Sequence, residues 1–508
     1  MEKENLNSYL KDKYLIQMLL DGIGVGLFSG TIAILYRYMI TKLDLVRFFI
    51  YGHFIGIKVL LIFLMAIVFG LIMAFLLKRF PLSGGSGIPQ IRGELLGRLS
   101  MNEWGILSSK FVGGGLANVI GLSLGREGPS IQIGGAVAKI FAKVLKRDNS
   151  QTNYIITAGA SAGLAAAFNA PISGALFAME EMHKSFSSYI FVPALISSVT
   201  ANFLSFLFLG QESSFNFKNI SPIPVDYILL VLVLGILCGI VGAIFNNGLN
   251  FSIKKFGMIK SNYVRLPITL FIGSLVGLFF YDLTGGGHFI VEELANESFT
   301  IKFLLLLLIG KLLFTFFSYG SGAQGGIFLP TLVIGALLGC VYFKILNSFI
   351  DISQFKINFL ILGMAGVLCG VVRSPLLSIM LVTEMSGSLN QFILVSVVSM
   401  AAYFTCELLK VEPIYESLYE GIMKKFSNKP LKESEDYQVF EYIIPFNFKD
   451  RNKTLTEIDF PVHLIIASIT REGRNFIPKS DDIIKEGDIL IVLIRNKDMY
   501  IVDEYFKS

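Results

Sequence analysis

Charge is what this sequence has least of. Only 16% of its 508 residues are Asp, Glu, Lys or Arg, against 53% hydrophobic residues and a mean hydropathy of +0.65. That balance excludes a string of soluble domains and fits a polytopic membrane protein. The net charge of +5 is too small to mark a nucleic-acid surface and suits basic cytoplasmic loops. Cysteine is scarce: Cys238, Cys340, Cys369 and Cys406 sit singly inside apolar runs, with no disulfide pattern. The four histidines (His53, His183, His288, His463) are scattered, and no nucleophile–base pair or metal cluster is visible, so an enzyme is not expected. No Walker-type Gly-Lys-Ser/Thr and no Thr-Val-Gly-Tyr-Gly occurs, which argues against a phosphate loop and a potassium filter. No cleavable signal peptide is expected, because the first thirteen residues are polar and no small-residue cleavage site follows the first apolar run.

What is abundant is glycine, 49 residues of it, together with long apolar runs. Segments at 14–40 and 54–77 are long enough to span a bilayer. Those at 104–123, 130–145, 152–168, 171–182 and 189–209 are shorter and interrupted by Gly or Pro. They read as half-helices meeting inside the membrane. A second series lies at 226–251, 265–283, 301–318, 327–350, 357–372, 374–386 and 390–409. It repeats the first weakly. Pro171 and Pro375 stand 204 residues apart, as do Glu180 and Glu384, and Pro129 and Pro330 stand 201 apart. Two related halves of broken helices are the sequence sign of a transporter with its site between them.

The chemistry concentrates at Gly125-Arg126-Glu127-Gly128-Pro129. Pro129 suits the first turn of a helix, and a helix start attracts anions through its unsatisfied N–H groups. Glu127 is an anion tethered there. Charged, it fills such a site; protonated, it leaves. Pairing with Arg126 is the structural alternative, although carboxylates inside membranes are usually functional. Two further loops open helices: Gly85-Ser86-Gly87-Ile88-Pro89, where Ser86 offers a hydroxyl, and Gly325-Gly326-Ile327-Phe328-Leu329-Pro330, where the amides of Ile327 and Phe328 would face an anion. Taken alone, the first of these reads as a flexible loop. Glu180 and Glu181 either both meet water at the membrane boundary, or one turns inward as a proton acceptor beside a structural neighbour. Tyr415 and Tyr419 lie on an amphipathic stretch at 412–425, and spacing does not choose between them.

After Lys410 the composition changes. Strand-like runs at 439–445, 462–469 and 489–494, separated by turn clusters, predict a small α+β module, cytoplasmic by its charge density. The expected organisation is a cytoplasmic segment at 1–13, a membrane domain at 14–425 with halves at 14–212 and 226–425, a linker at 426–438 and the module at 439–508.

As a set, the three glycine motifs resemble the CLC family of chloride channels and chloride/proton antiporters over residues 20–420. The resemblance implies a mostly α fold of two inverted-topology repeats of broken helices. It also implies a homodimer with one anion pathway per subunit, in the plasma membrane of a bacterium. It gives Ser86, Tyr415 and the amides of Ile327 and Phe328 as the chloride site, Glu127 as the external gate and Glu181 as the internal proton-transfer residue. Gly85, Gly87, Pro89, Gly125, Arg126, Gly128, Pro129, Gly325, Gly326 and Pro330 complete its motifs. A glutamate at 181 favours an exchanger over a passive chloride channel. Serine at 86 resembles chloride-selective rather than nitrate-preferring members, and fluoride exporters depart at several of these sites. Two positions depart from the pattern: Gln324 replaces a common proline, and Arg92 stands where some bacterial antiporters have a glutamate, a change expected to hold Glu181 charged. From 439 the chain resembles TrkA-C (RCK-C) regulatory domains, on Leu464–Arg471, Phe476-Ile477-Pro478 and Glu486–Leu490. That implies a dimerising module with a cyclic dinucleotide (c-di-AMP-like) as candidate small-molecule regulator, or a passive dimerisation domain. The expected function is secondary-active exchange of chloride for protons, with a gated passive channel as the alternative and a potassium-transport subunit, suggested by the tail, ranked low.

Overall fold

Two runs of eight helices follow the same order in the computed structural model. It describes residues 2–507 apart from 54–55, 211–213, 216, 218–219, 427–436, 446–447, 472–473 and 496–497. The expected linker at 426–438 therefore falls mostly outside the described residues. The first run is α1 (Glu2–His53), α2 (Val59–Arg79), α3 (Ile88–Leu95), α4 (Glu103–Ile120), α5 (Glu127–Val144), α6 (Asn149–Phe168), α7 (Pro171–Phe177) and α8 (Ser188–Leu209). The second is α9 (Ile228–Gly257), α10 (Asn262–Phe279), α11 (His288–Asn296), α12 (Ile301–Gly320), α13 (Phe328–Asn347), α14 (Lys356–Val372), α15 (Pro375–Ser386) and α16 (Phe392–Leu408). α17 (Ile414–Phe426) occupies the amphipathic stretch. Among the described residues nine helices are long and apolar enough to cross a membrane. The chain is a mostly α, multi-pass membrane protein.

α13 and α14 are buried along most of their length, whereas α2 presents Leu60, Leu64, Leu71 and Phe75 outward. In lipid there is little hydrophobic drive between helices, so close backbone approach carries the packing. A Cβ added at Gly134 of α5 would stand 2.1 Å from the Gly159 carbonyl of α6. One added at Gly335 of α13 would stand 2.4 Å from the Gly363 carbonyl of α14. The same glycine contact thus joins the equivalent pair in each half.

The sequence predicts a first span ending near residue 40, but α1 continues to His53. Two of its charged residues, Arg37 and Arg47, find partners inside the protein. Arg37 donates to the Ala166 carbonyl (2.9 Å) and Asn169 Oδ1 (2.7 Å). Arg47 donates to the carbonyl and side chain of Asn118 (3.0 and 2.6 Å) and pairs with Asp44 one turn earlier (2.8 Å). Polar groups with such partners do not end a membrane helix.

The chain divides into two compact units, one of Met1–Arg92 with Met101–Ile422, the other of Gly93–Ser100 with Met423–Ser508. The second contains an antiparallel sheet in the order β1-β4-β2-β3: β1 (Tyr437–Ile443), β2 (Ile465–Arg471), β3 (Arg474–Phe476) and β4 (Ile489–Arg495). β3 and the closing helix α18 (Met499–Lys507) are absent from the sequence reading. Val502 and Phe506 of α18 join Ile469, Leu490, Val492 and Ile494 in one core. Arg471 binds Asp488 through two nitrogens (2.8 and 2.7 Å), fixing the turn before β4. Hydrogen bonds from Lys453 and the Tyr505 hydroxyl hold the Asp450 carboxyl below the usual range.

Candidate anion and proton site

Three glycine loops are sewn together at the centre of the first unit. The Gly85 N–H donates to the Ala323 carbonyl and the Gly325 N–H to the Gly85 carbonyl, both at 3.1 Å. Gly125 and Gly326 exchange N–H···O bonds of 2.8 and 2.7 Å. Each loop then opens a helix: α3, α5 and α13. The first N–H groups of a helix have no internal acceptor, and each start carries about half a positive charge. In α13 the first internal bonds begin with the Thr331 N–H, bonded to the Ile327 carbonyl. The N–H groups of Ile327, Phe328 and Leu329 precede it, and Pro330 has none to leave unsatisfied.

Glu127 is the first residue of α5 and has no solvent exposure. Its carboxylate faces the N–H groups of its own residue and of Leu329. Neither oxygen makes a hydrogen bond of ordinary geometry. Arg126 pairs with it only at long range: Nε stands 3.9 Å away, while Nη1 donates to Thr41 Oγ1 at 3.0 Å. Gly125 is required here, since a Cβ would lie 2.3 Å from Glu127 Oε2.

Ser86 meets this junction from α3. A Cβ at Gly128 would lie 2.3 Å from Ser86 Oγ, so the hydroxyl sits against the start of α5. Tyr415, the second residue of α17, arrives from the far end of the chain. Its ring stacks on Phe328 with centroids 5.8 Å apart. The Ser86 and Tyr415 hydroxyls come within reach of each other, yet both are buried without an ordinary hydrogen-bond partner. Tyr415 and Tyr419 are both buried; it is Tyr415 that stacks on Phe328, while Tyr419 lies under the Arg92 guanidinium. Two unsatisfied hydroxyls and several helix-start amides thus gather in one cradle, donor groups of the kind a monovalent anion takes, and the Glu127 carboxylate lies beside it.

Lys110 was not legible as a site residue. It is fully buried on α4, donating to the Gly85 carbonyl (2.6 Å) and the Ser86 carbonyl (3.3 Å). Lys311 repeats the arrangement on α12, donating to the carbonyls of Leu283 (3.0 Å) and Gly285 (2.7 Å) just before α11. The available signal was a lysine in the middle of each of two apolar helices, 201 residues apart.

Glu180 and Glu181 separate cleanly. They lie in a widened, π-type turn, Ala178–His183, that continues α7. Glu181 is buried and accepts from Ser374 Oγ (2.8 Å) and Lys184 Nζ (3.4 Å). Glu180 accepts from the N–H groups of Leu376 and Leu377 (3.1 and 2.7 Å), capping α15. Its repeat partner Glu384 accepts from the N–H groups of Ile172 and Ser173 (3.0 and 2.8 Å), capping α7. The two halves therefore cap each other's short helices reciprocally. Glu384→Ala and Glu180→Ala should each lower stability by about 2 kcal/mol, the cost of stranding N–H groups bonded to a carboxylate. Thermal unfolding in detergent should show equal losses for the two, with proton coupling intact in Glu384→Ala.

A cavity of about 730 Å³ is walled in part by Arg37, Arg126, Gly125, Gly325, Leu329 and His288. It reaches the glycine junction from the side of Arg126. Gln324 is buried and donates to Ser109 Oγ (3.2 Å), which pairs with Ser83 Oγ (2.6 Å), so its side chain braces the loop against α4. Arg92 is committed to Glu416 at 2.5 Å, so its charge is spent on α17 rather than on Glu181 alone.

Residues 69–407 match the family model described as voltage gated chloride channel, and 439–507 match the TrkA-C domain. An H(+)/Cl(−) exchange transporter of Vibrio cholerae serotype O1 is 33% identical over 453 residues, covering 86% of this chain and 95% of that protein. One from Citrobacter koseri is 30% identical over 428 residues, covering 82% and 90%. The crystal structure of a slow cyanobacterial Cl−/H+ antiporter superposes with a TM-score of 0.75 at 30% identity, covering 81% of this chain and 99% of that one. A CLC-type fluoride/proton antiporter, at 22% identity and a TM-score of 0.69, shares the fold. With its membrane region matched across most of its length, the chain belongs to the voltage-gated chloride channel, or CLC, family and carries a TrkA-C domain after it.

Proposed function

We propose that this protein exchanges chloride for protons across a bacterial plasma membrane, as a homodimer with one pathway in each subunit. The observation that carries the reading is Glu127: a buried carboxylate with no ordinary hydrogen bond, placed where helix starts gather and beside two unpartnered hydroxyls. Chloride binds between the Ser86 and Tyr415 hydroxyls and the amides of Ile327 and Phe328. These partial charges hold the ion without a full countercharge, so it can also leave. Ionised Glu127 takes the outer part of the same cradle. A proton arriving through the Arg126-walled cavity neutralises Glu127, which then yields the cradle to chloride. Glu181 accepts that proton on the inner side. The relatives named as exchangers support the same assignment. Chloride is the transported ion. The TrkA-C module is a cytoplasmic regulator or dimerisation element, with a cyclic dinucleotide as its candidate ligand.

Vesicles holding the purified protein test this directly. Under a fixed chloride gradient, an imposed pH gradient should shift the reversal potential, and outward chloride flow should drive protons inward against their gradient. A reversal potential indifferent to pH would assign the protein to the passive channels of the same fold.

A further inference from the structure

The two hydroxyls of the anion cradle sit at the starts of two different short helices, and a partly buried ion pair joins those helices behind them. Ser86 stands two residues before the start of α3, and Arg92 lies about one turn along it. Tyr415 opens α17, and Glu416 is its neighbour. Arg92 Nη1 donates to Glu416 Oε2 at 2.5 Å, and the guanidinium lies over the Tyr419 ring, 5.0 Å from its centroid. Positions 416 and 419 share one face of α17, so Arg92 grips that face at two points. Its side chain is 9% exposed and that of Glu416 32%, so solvent screens the pair only in part. On α17 the Ser417 hydroxyl meets Asn250 of α9 at 3.1 Å, fixing the helix from another direction. Helices of 8 and 13 residues have little surface for packing, so individual links decide where their first residues stand.

We propose that Arg92 and Glu416 form a positioning clamp that sets the spacing of the Ser86 and Tyr415 hydroxyls and so keeps the inner mouth of the anion cradle narrow. The pair touches neither ion; it acts through the helices that carry the donors. This inference rests on the reading of Ser86 and Tyr415 as chloride donors. With the clamp released, the start of α17 moves away from α3. Chloride then binds more weakly and slips inward without waiting for a proton.

The full-length protein in vesicles, with chloride binding followed in parallel by calorimetry, decides the matter. Glu416→Gln and Arg92→Gln should each weaken chloride binding and lower the protons moved per chloride by about threefold, the scale of a released two-state link. The swapped protein, Arg92→Glu with Glu416→Arg, should recover more than half of both losses. Arg92→Lys, which keeps the charge but loses the planar fork, should fall between. If Glu416→Gln behaves as wild type while Arg92→Gln does not, Arg92 works through the field at Glu181 and the clamp is overturned. A swap as impaired as the single variants, with normal size-exclusion behaviour, overturns it too. Wild-type vesicles that bind chloride but show no proton coupling sink the exchange reading alone; chloride affinity in the same variants then judges the clamp.

Discussion

Glu127→Gln protein should carry chloride down its gradient while its proton flux falls by about two orders of magnitude, the scale on which a positioned proton acceptor acts. Glutamine has nearly the shape of a protonated glutamic acid and no charge to lose. It therefore imitates one state of the cycle permanently. The wild-type carboxylate is buried and makes no ordinary hydrogen bond, so no short side-chain contact opposes its departure. Arg126, at 3.9 Å and engaged with Thr41, does not supply a countercharge strong enough to pin it. Glu127→Ala should behave alike, with faster chloride flow because the cradle loses its only tethered competitor. Glu181→Gln, by contrast, leaves the cradle untouched and should abolish proton movement while chloride passage continues. The three variants are distinguished by recording chloride efflux and external pH together in one vesicle suspension. Uphill proton transport persisting in Glu127→Gln would remove the central role from this side chain.

How legible this was depended on range along the chain. The helices from α4 to α8 and from α12 to α16 follow from apolar runs punctuated by Gly and Pro, because membrane hydropathy and helix breakers are local properties. The internal repeat was visible only where it left identical residues, as at Pro171 and Pro375. Its physical content, Glu180 and Glu384 capping each other's helix, needed the fold, since the partners lie about two hundred residues away. α11 escaped because its nine residues include two glutamates and follow three glycines, which reads as loop. α1 was cut short in the reading because a sequence cannot show that Arg37 and Arg47 find carbonyls on other helices. Among the site residues, those on glycine loops were readable and those acting by long-range contact were not. Spacing left Tyr415 and Tyr419 equivalent, whereas the ring contact of Tyr415 with Phe328 distinguishes them. Arg92 was expected to act on Glu181; its guanidinium also pairs with Glu416 on α17, a carboxylate invisible as a neighbour in sequence.

Lys110→Met protein should bind chloride at least tenfold more weakly, whereas Lys311→Met should lose stability and keep its chloride affinity. The contrast comes from the repeat. Both ammonium groups are buried and both bond two carbonyls of a glycine loop at a short helix. Removing either strands those carbonyls, at roughly 1–3 kcal/mol each. Only Lys110 sits behind the loop that carries Ser86. Its Nζ donates to the Ser86 carbonyl at 3.3 Å, and a unit charge about 6 Å from a bound ion is worth roughly 3 kcal/mol at an effective dielectric of about 20. That is far above the roughly 1.4 kcal/mol that corresponds to tenfold in affinity. Calorimetric titration of chloride into the two detergent-solubilised variants, alongside their thermal unfolding, separates the terms. Equal stability losses with chloride affinity lost only in Lys110→Met would show that one half of a duplicated scaffold was turned into an ion site while the other kept the brace alone. Equal affinities in both would mean that Lys110, too, only holds its loop, and that the hydroxyls and amides suffice for chloride without a buried cation behind them.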